Sequence, residues 1–385
     1  MADKVSSLDD LSSEQITALV ELAEAYQKRT SSRRDVLKAA AAGAGAGLLS
    51  SAGFSVATDS GQPAANGNQQ VVQREGTAIA TPGNVQAAID AVASNDSGMV
   101  RLDPTQRYEQ PSSPWTIKRN VVLDFNGAFL YGTGDLSETD IIHIHPGAQV
   151  YRPRINLYDG GSGYTPANSY QGRVFSLDTR LGRPYFADGT TIRGGNLIAA
   201  GNTGTACYIG VNTTGNESVI THIDLEFDIG TPKRSNAENS VDTALHLDTR
   251  GGGDDGWING VYVGGHWRYP RTGVLQEGVT GKYNQQVLNQ FNVQIQPGED
   301  ANAFWEIKDP TWARLNKWCG IIWDYTNYGD YAWKIDSQYQ DSEDSFRGCK
   351  RNAVNTPNFD KEFVRNRSPN EHYINHTHRF ESTVV

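Results

Sequence analysis

Ala244-Leu245-His246-Leu247-Asp248, Gly273-Val274-Leu275-Gln276-Glu277, Phe304-Trp305-Glu306-Ile307-Lys308 and Ala332-Trp333-Lys334-Ile335-Asp336 are copies of one short pattern, with starts 29, 31 and 28 residues apart. A second segment recurs between them: Ile258–Val263, Phe291–Ile295 and Cys319–Trp323. Earlier copies are Val174–Asp178 and Ala206–Gly210, and Ile141–His145 begins the series. Apolar side chains alternate with period two, which is a strand pattern; a helix would need them at i, i+3 and i+4. A repeat of this length with short strands and no intervening helix means a solenoid, because one coil cannot bury its own apolar face and a stack can. Propeller blades are longer, about 40–50 residues. The predicted fold is all-β, a right-handed parallel β-helix of roughly eight to ten coils.

Alternation also sorts the side chains into columns. Leu245, Val274, Trp305 and Trp333 form one inward column, and Leu247, Gln276, Ile307 and Ile335 the next. Gln276 is anomalous there and needs a buried hydrogen-bond partner. The outward columns are His143, Ser176, Tyr208, His246, Leu275, Glu306, Lys334 and His145, Asp178, Gly210, Asp248, Glu277, Lys308, Asp336.

Outward from the repeat the texture changes. Thr81-Pro82 opens a short helix with Val85, Ala88, Ile89 and Val92 on one face, placed to cap the N-terminal end of the solenoid. Residues 58–75 read as a flexible linker, 76–340 as the β-helix, and 341–385 as a polar C-terminal tail. Residues 1–57 form a signal region: an amphipathic leader, then Arg33-Arg34 before Leu37-Lys38 and the mildly apolar run Ala39–Gly53. This resembles a twin-arginine export signal, an address read by a receptor. It implies an exported protein, extracellular or at the cell surface.

Composition limits the partners. Lys+Arg is 34 and Asp+Glu is 44, a net charge of -10, which argues against general nucleic-acid binding. No apolar run reaches the ~20 residues of a membrane-spanning helix. Aspartate (28) exceeds glutamate (16) and arginine (23) exceeds lysine (11), a balance suited to a halophilic surface. Three cysteines cannot form a dense disulfide framework, although Cys319 and Cys349 could pair. Five Asn-X-Ser/Thr triplets, at Asn95, Asn212, Asn216, Asn366 and Asn375, are candidate glycan acceptors.

Ala88-Ile89-Asp90-Ala91, then Gly98–Pro104 and Asn120–Ala128, resemble the opening of pectate-lyase-like β-helix domains, a group of polysaccharide lyases, polygalacturonase-type hydrolases and phage tailspikes. The resemblance implies a carbohydrate partner, either cleaved or held without turnover as by an adhesin or spike. Homotrimers are an open possibility for such a solenoid. One fold hosts many functions, so the site needs its own case.

Stacking places Asp248 and Glu277 about 5 Å apart with His246 beside them. Like charges at that distance should raise one pKa, as a general acid requires. Asp248, Glu277 and His246, with Asp254 and Asp255, are therefore the catalytic candidates. Asp254-Asp255 and Gly265-His266 resemble the paired aspartates and Gly-His of polygalacturonase-type hydrolases, but the histidine follows too soon and the Arg-Ile-Lys clamp is absent. Arg268 and Arg271 could hold a sugar carboxylate. Trp267, Tyr269 and Trp312 are candidate sugar platforms, and His266, Asp178 and Tyr208 complete the substrate-binding candidates. In a lyase reading, Asp248, Asp254 and Asp255 hold Ca²⁺ and Arg271 is the base. A dedicated metal site and a certain cofactor are not expected.

Overall fold

The computed structural model describes residues 72–74, 76–132, 139–159, 172–181, 190–199, 204–213, 219–230, 240–252, 256–279, 285–296, 301–308, 312–319, 321–322 and 331–335, with short strands at Ser345–Phe346, Cys349–Lys350 and Val364–Asn366. The fold is a parallel β-helix. One face is a nine-stranded sheet of β1 (Trp115–Ile117), β2 (Ile142–Ile144), β3 (Arg173–Asp178), β4 (Thr205–Gly210), β5 (Val241–Asp248), β6 (Pro270–Glu277), β7 (Ala303–Lys308), β8 (Tyr331–Ile335) and β9 (Val364–Asn366). Each strand pairs in parallel with the next. Nine described strands mean nine coils on this face.

An 18-stranded sheet forms the remaining wall. It bends at a column of residues in the left-handed conformation: His222 (φ 57°), Gly260 (φ 64°), Leu288 (φ 59°) and Leu315 (φ 57°). Registers on either side place these four one above another. Behind this corner the buried Asn289 and Asn316 form a ladder. Asn289 Oδ1 accepts from the Val261 N–H at 3.0 Å, and Asn316 Oδ1 accepts from both the Asn289 N–H at 3.1 Å and its Nδ2 at 2.9 Å. The turn's backbone donors are thereby satisfied inside the wall, where water cannot reach them.

Both inward columns match the expected register. Leu245, Val274, Trp305 and Trp333 are successive partners, as are Leu247, Gln276, Ile307 and Ile335. Gln276 finds a partner for its Oε1, which accepts from Trp305 Nε1 at 2.7 Å, while its buried Nε2 has none among the described residues. Aromatic rings fill the wide C-terminal half. Trp305 stacks on Trp318 at 6.4 Å and meets Phe291 edge-on at 5.5 Å.

The N-terminal end is covered by α1 (Val85–Ala93), whose Val85, Ala88, Ile89 and Val92 are buried. Its start differs from the expectation. Asn84 precedes the helix and its Oδ1 accepts from the Thr81 N–H at 2.7 Å, so Pro82 lies in the lead-in turn rather than the first helical turn. Gln86 reaches the free edge of β1. Its Oε1 accepts from the Thr116 N–H at 2.7 Å and its Nε2 donates to the Thr116 carbonyl at 3.3 Å.

The expected segment limits shift at both ends. Val72–Arg74, expected inside the linker, is a strand antiparallel to Thr77–Ala80. Parallel pairing also continues beyond residue 340, through Ser345–Phe346, Cys349–Lys350 and β9. Strands of two or three residues are too short to carry a visible period. Cys319 is free and exposed, so the pairing with Cys349 that the sequence left open is not formed. The export signal and residues 58–71 lie outside the described residues.

Candidate functional site

The outward columns meet at the C-terminal ends of β3 to β7. Asp178 pairs with Gly210, Gly210 with Asp248, Asp248 with Glu277 and Glu277 with Lys308, while Tyr208 pairs with His246 and Leu275 with Glu306. Every adjacency expected for these residues is present. The environment differs: Asp178, Tyr208, Asp248 and Glu306 are buried.

Two copies of Leu-Asp-Thr-Arg explain how the buried aspartates are tolerated. In Asp178-Thr179-Arg180 and in Asp248-Thr249-Arg250 the carboxylate accepts from the backbone N–H of the arginine two residues later, at 2.9 Å in both. The arginine folds back on the same carboxylate. Arg180 donates Nε and Nη2 to Asp178, and Arg250 donates Nε to Asp248 Oδ1 at 3.0 Å and Nη2 to Oδ2 at 2.8 Å. The β4 coil between them carries Gly210 and Asn212 instead. A Cβ at Gly210 would collide with the Tyr208 ring at 2.3 Å, so glycine makes room for the tyrosine. Tyr208 donates its hydroxyl to Asp248 Oδ2 at 3.1 Å, and Asn212 Nδ2 donates to Tyr208 Oη at 2.8 Å and Asp178 Oδ2 at 2.9 Å. The Arg173 guanidinium lies 3.4 Å over the Tyr208 ring. Asn212, occupied in this way, does not present a free amide to a glycan.

Glu277 closes the cluster. Its Oε2 lies 2.8 Å from His246 Nε2 and 3.1 Å from Arg250 Nη2, and its Oε1 lies 3.9 Å from Lys308 Nζ. The His246 contact is short but lacks hydrogen-bond geometry, and Nε2 makes no hydrogen bond among the described residues. Lys308 also lies 3.7 Å from Glu306.

These cations reverse the expected pKa logic. Burial pushes Asp248 upward, but the hydrogen bonds from the Arg250 side chain and backbone, with the His246 and Arg250 charges, hold it below the ordinary carboxylate value. Asp178 is lowered in the same way: burial opposes, and Arg180 and Asn212 prevail. Burial also opposes at Glu277, where His246, Arg250 and Lys308 together lower the pKa. The expected raised pKa is corrected, because Arg250 and Lys308 stand among the carboxylates, with His246 beside them, and offset their repulsion.

The remaining candidates lie elsewhere. Arg271 sits at the start of β6, six residues and so roughly 20 Å from Glu277, and pairs with Asp242 at 3.2 Å. Arg268 and His266 belong to the larger sheet, on the strand Trp257–Arg268. Burial, then the Arg268 charge, lowers the His266 pKa, with Asp228 opposing. Trp267 is corrected outright as a sugar platform. It is fully buried, stacks on Phe227 at 5.4 Å and donates Nε1 to the Phe227 carbonyl at 3.0 Å. Tyr269 is a half-buried corner residue at φ 59° whose hydroxyl accepts from Gln296 Nε2 at 3.1 Å. Asp254, Asp255 and the Trp312 side chain lie outside the described residues, so Asp248 is the described member of the Ca²⁺ set. The sequence does not single out Arg180 and Arg250, although Leu-Asp-Thr-Arg repeats in it, and it marks Asn212 only as a glycan acceptor.

No family model matches the chain, and no curated protein is significantly similar to it. Solved structures similar to it include tailspike proteins of the E. coli bacteriophage HK620. A double-mutant tailspike is 12% identical with a TM-score of 0.27, over 72% of this chain and 62% of that chain. A single-mutant tailspike in complex with a pentasaccharide is 13% identical with a TM-score of 0.23, over 72% and 62%. The chain thus spans less than two thirds of the length of these tailspikes.

Proposed function

We propose that this protein is exported and binds an extended acidic polysaccharide along the edge formed by the ends of β3 to β7. One observation carries the reading. The cationic side chains there are open to solvent, with Arg180 61%, Arg250 50% and Lys308 42% exposed, while Asp178, Asp248, Glu277 and Glu306 are 3%, 5%, 16% and 2% exposed. The site is close to neutral in sum but presents positive charge outward. Arg180 and Arg250 lie two coils apart, about 10 Å along the axis. Lys308 continues the row two coils further. Each arginine is clamped from behind by its aspartate, so its outer N–H donors are already oriented and little side-chain freedom remains to be lost on binding.

Binding is favoured over hydrolysis in this state. A glycosidase needs one protonated carboxyl to deliver a proton to the leaving oxygen. The lowered pKa of both Asp248 and Glu277 leaves neither in that form at neutral pH.

Retention on immobilised polygalacturonate, compared with neutral dextran, tests the reading at low and high salt. Retention on the acidic polymer, reduced by salt, is expected. Arg180→Ala and Arg250→Ala should each weaken it about tenfold, the loss of roughly one charge-assisted hydrogen bond. Equal retention on dextran would refute the acidic-ligand reading. Reducing ends or ultraviolet-absorbing unsaturated products would refute the non-catalytic one. Export is tested by fusing residues 1–57 to a reporter and replacing Arg33 and Arg34 with lysine, which should leave the reporter inside the cell.

A further inference from the structure

We propose that His246, Asp248 and Glu277 form a site for a Zn²⁺-class transition-metal ion, in which the Arg250 guanidinium is the resident substitute for the ion. His246 and Asp248 are two apart on β5 and therefore on one face, and register sets Glu277 of β6 beside Asp248. One donor atom from each residue falls within a group no wider than 4.8 Å. Tetrahedral zinc with bonds of about 2.0–2.1 Å needs donors roughly 3.3 Å apart, so small side-chain rotations close the set.

The present contacts mark where the ion would sit. Arg250 Nη2 bridges Asp248 Oδ2 at 2.8 Å and Glu277 Oε2 at 3.1 Å, so one positive group already occupies the space between the two carboxylates. His246 Nε2 is buried 2.8 Å from the same Glu277 oxygen without an aligned hydrogen bond. A metal ion would use that nitrogen's lone pair, which Arg250 cannot. Tyr208 supports the set from behind, through its hydroxyl on Asp248 Oδ2 and its ring against the His246 imidazole at 5.3 Å. One imidazole nitrogen and two carboxylate oxygens suit zinc, nickel or cobalt. They do not suit calcium, which takes six to eight oxygens. Lys308, 3.9 Å from Glu277 Oε1, opposes the ion, and Arg250 must swing into solvent to admit it.

Competition between Arg250 and the metal gives the test. Zn²⁺ is titrated calorimetrically into the full chain, in wild type, Arg250→Ala, Arg250→Ala/His246→Ala and Arg250→Ala/Glu277→Gln, all in a His376→Ala/His378→Ala background that removes the C-terminal His-Thr-His. Circular dichroism checks each fold. Arg250→Ala should bind one Zn²⁺ at least tenfold more tightly than wild type, and each double variant should lose at least tenfold of that affinity. The proposal fails if Arg250→Ala binds no tighter than wild type, or if both double variants bind as tightly as Arg250→Ala. The two double variants answer the same question, so loss of fold in one leaves the other to decide it.

Discussion

Asp178 and Asp248 are carboxylates in a place where an unpaired charge would be costly. Each is kept ionised by an arginine two residues on, so its pKa in the folded protein lies below its unfolded value. The stability such a group contributes is complete above the unfolded pKa and is lost as pH falls through the lowered value. Glu277 acts in the same direction. Urea unfolding followed from pH 7 downward should show stability holding to about pH 5 and then declining. Asp178→Asn/Asp248→Asn should be less stable at neutral pH and show a shallower decline; an unchanged acid slope would contradict the ion-pair account. Inside the core, Trp305 and Gln276 form a pair of the opposite kind, neutral and dry. Trp305→Phe strands the Gln276 carbonyl and should cost about 1–3 kcal/mol beyond the lost volume. Adding Gln276→Leu should recover part of that loss, because replacing both partners with apolar groups leaves nothing unsatisfied. Thermal or urea denaturation of the two variants checks this.

At the scale of the strand, period-two alternation fixes a register completely, since a slip of one residue turns every side chain to the other face. That is why the columns through His246, Asp248, Glu277 and Lys308 are legible in the sequence. Burial of the outward face was not. Alternation states which way Asp248 points and says nothing of the Tyr208 ring, the Asn212 amide or the returning Arg250 that cover it. Trp267 shows the cost of leaving the rule unapplied: it shares parity with Val261 and Val263, so it faces inward as they do. The corner was illegible for a different reason. Leucine carries no signal for a left-handed conformation, yet Leu288 and Leu315 occupy the column that glycine fills at residue 260. A β-carbon there costs about 1–2 kcal/mol. Leu288 is half exposed, so Leu288→Gly should raise the melting temperature, the relief of strain exceeding the small loss of packing. Asn289→Ala should act in the opposite direction, by about 1–3 kcal/mol, because the Val261 N–H loses its partner and the Asn316 carbonyl keeps only the backbone N–H of residue 289.

A solenoid couples each coil mainly to its neighbours, so damage at one end should stay near that end. The exposed edge of β1 would otherwise offer unpaired backbone groups to another chain. Gln86 answers both of the Thr116 groups with one side-chain amide, imitating the strand that would have come before. Ile89 and Val92 meanwhile shield the apolar end of the stack. Gln86→Ala removes the two edge hydrogen bonds and should cost about 1–2 kcal/mol. Hydrogen exchange should place that loss in Trp115–Ile117 and the neighbouring Ile142–Ile144, and leave Val241–Asp248 and Pro270–Glu277 as protected as before. Ile89→Asp goes further and should produce concentration-dependent association, read by light scattering, because it opens the end of the stack itself. If Gln86→Ala instead lowered protection evenly along all the coils, the molecule would be unfolding as one cooperative body, and polysaccharide binding at β3 to β7 would fall with it. Local fraying predicts that the part of this binding at Arg250 and Lys308 survives, since β3, β4 and β5 still stand between the opened coils and Glu277, while the contribution of Arg180, at the new edge, falls.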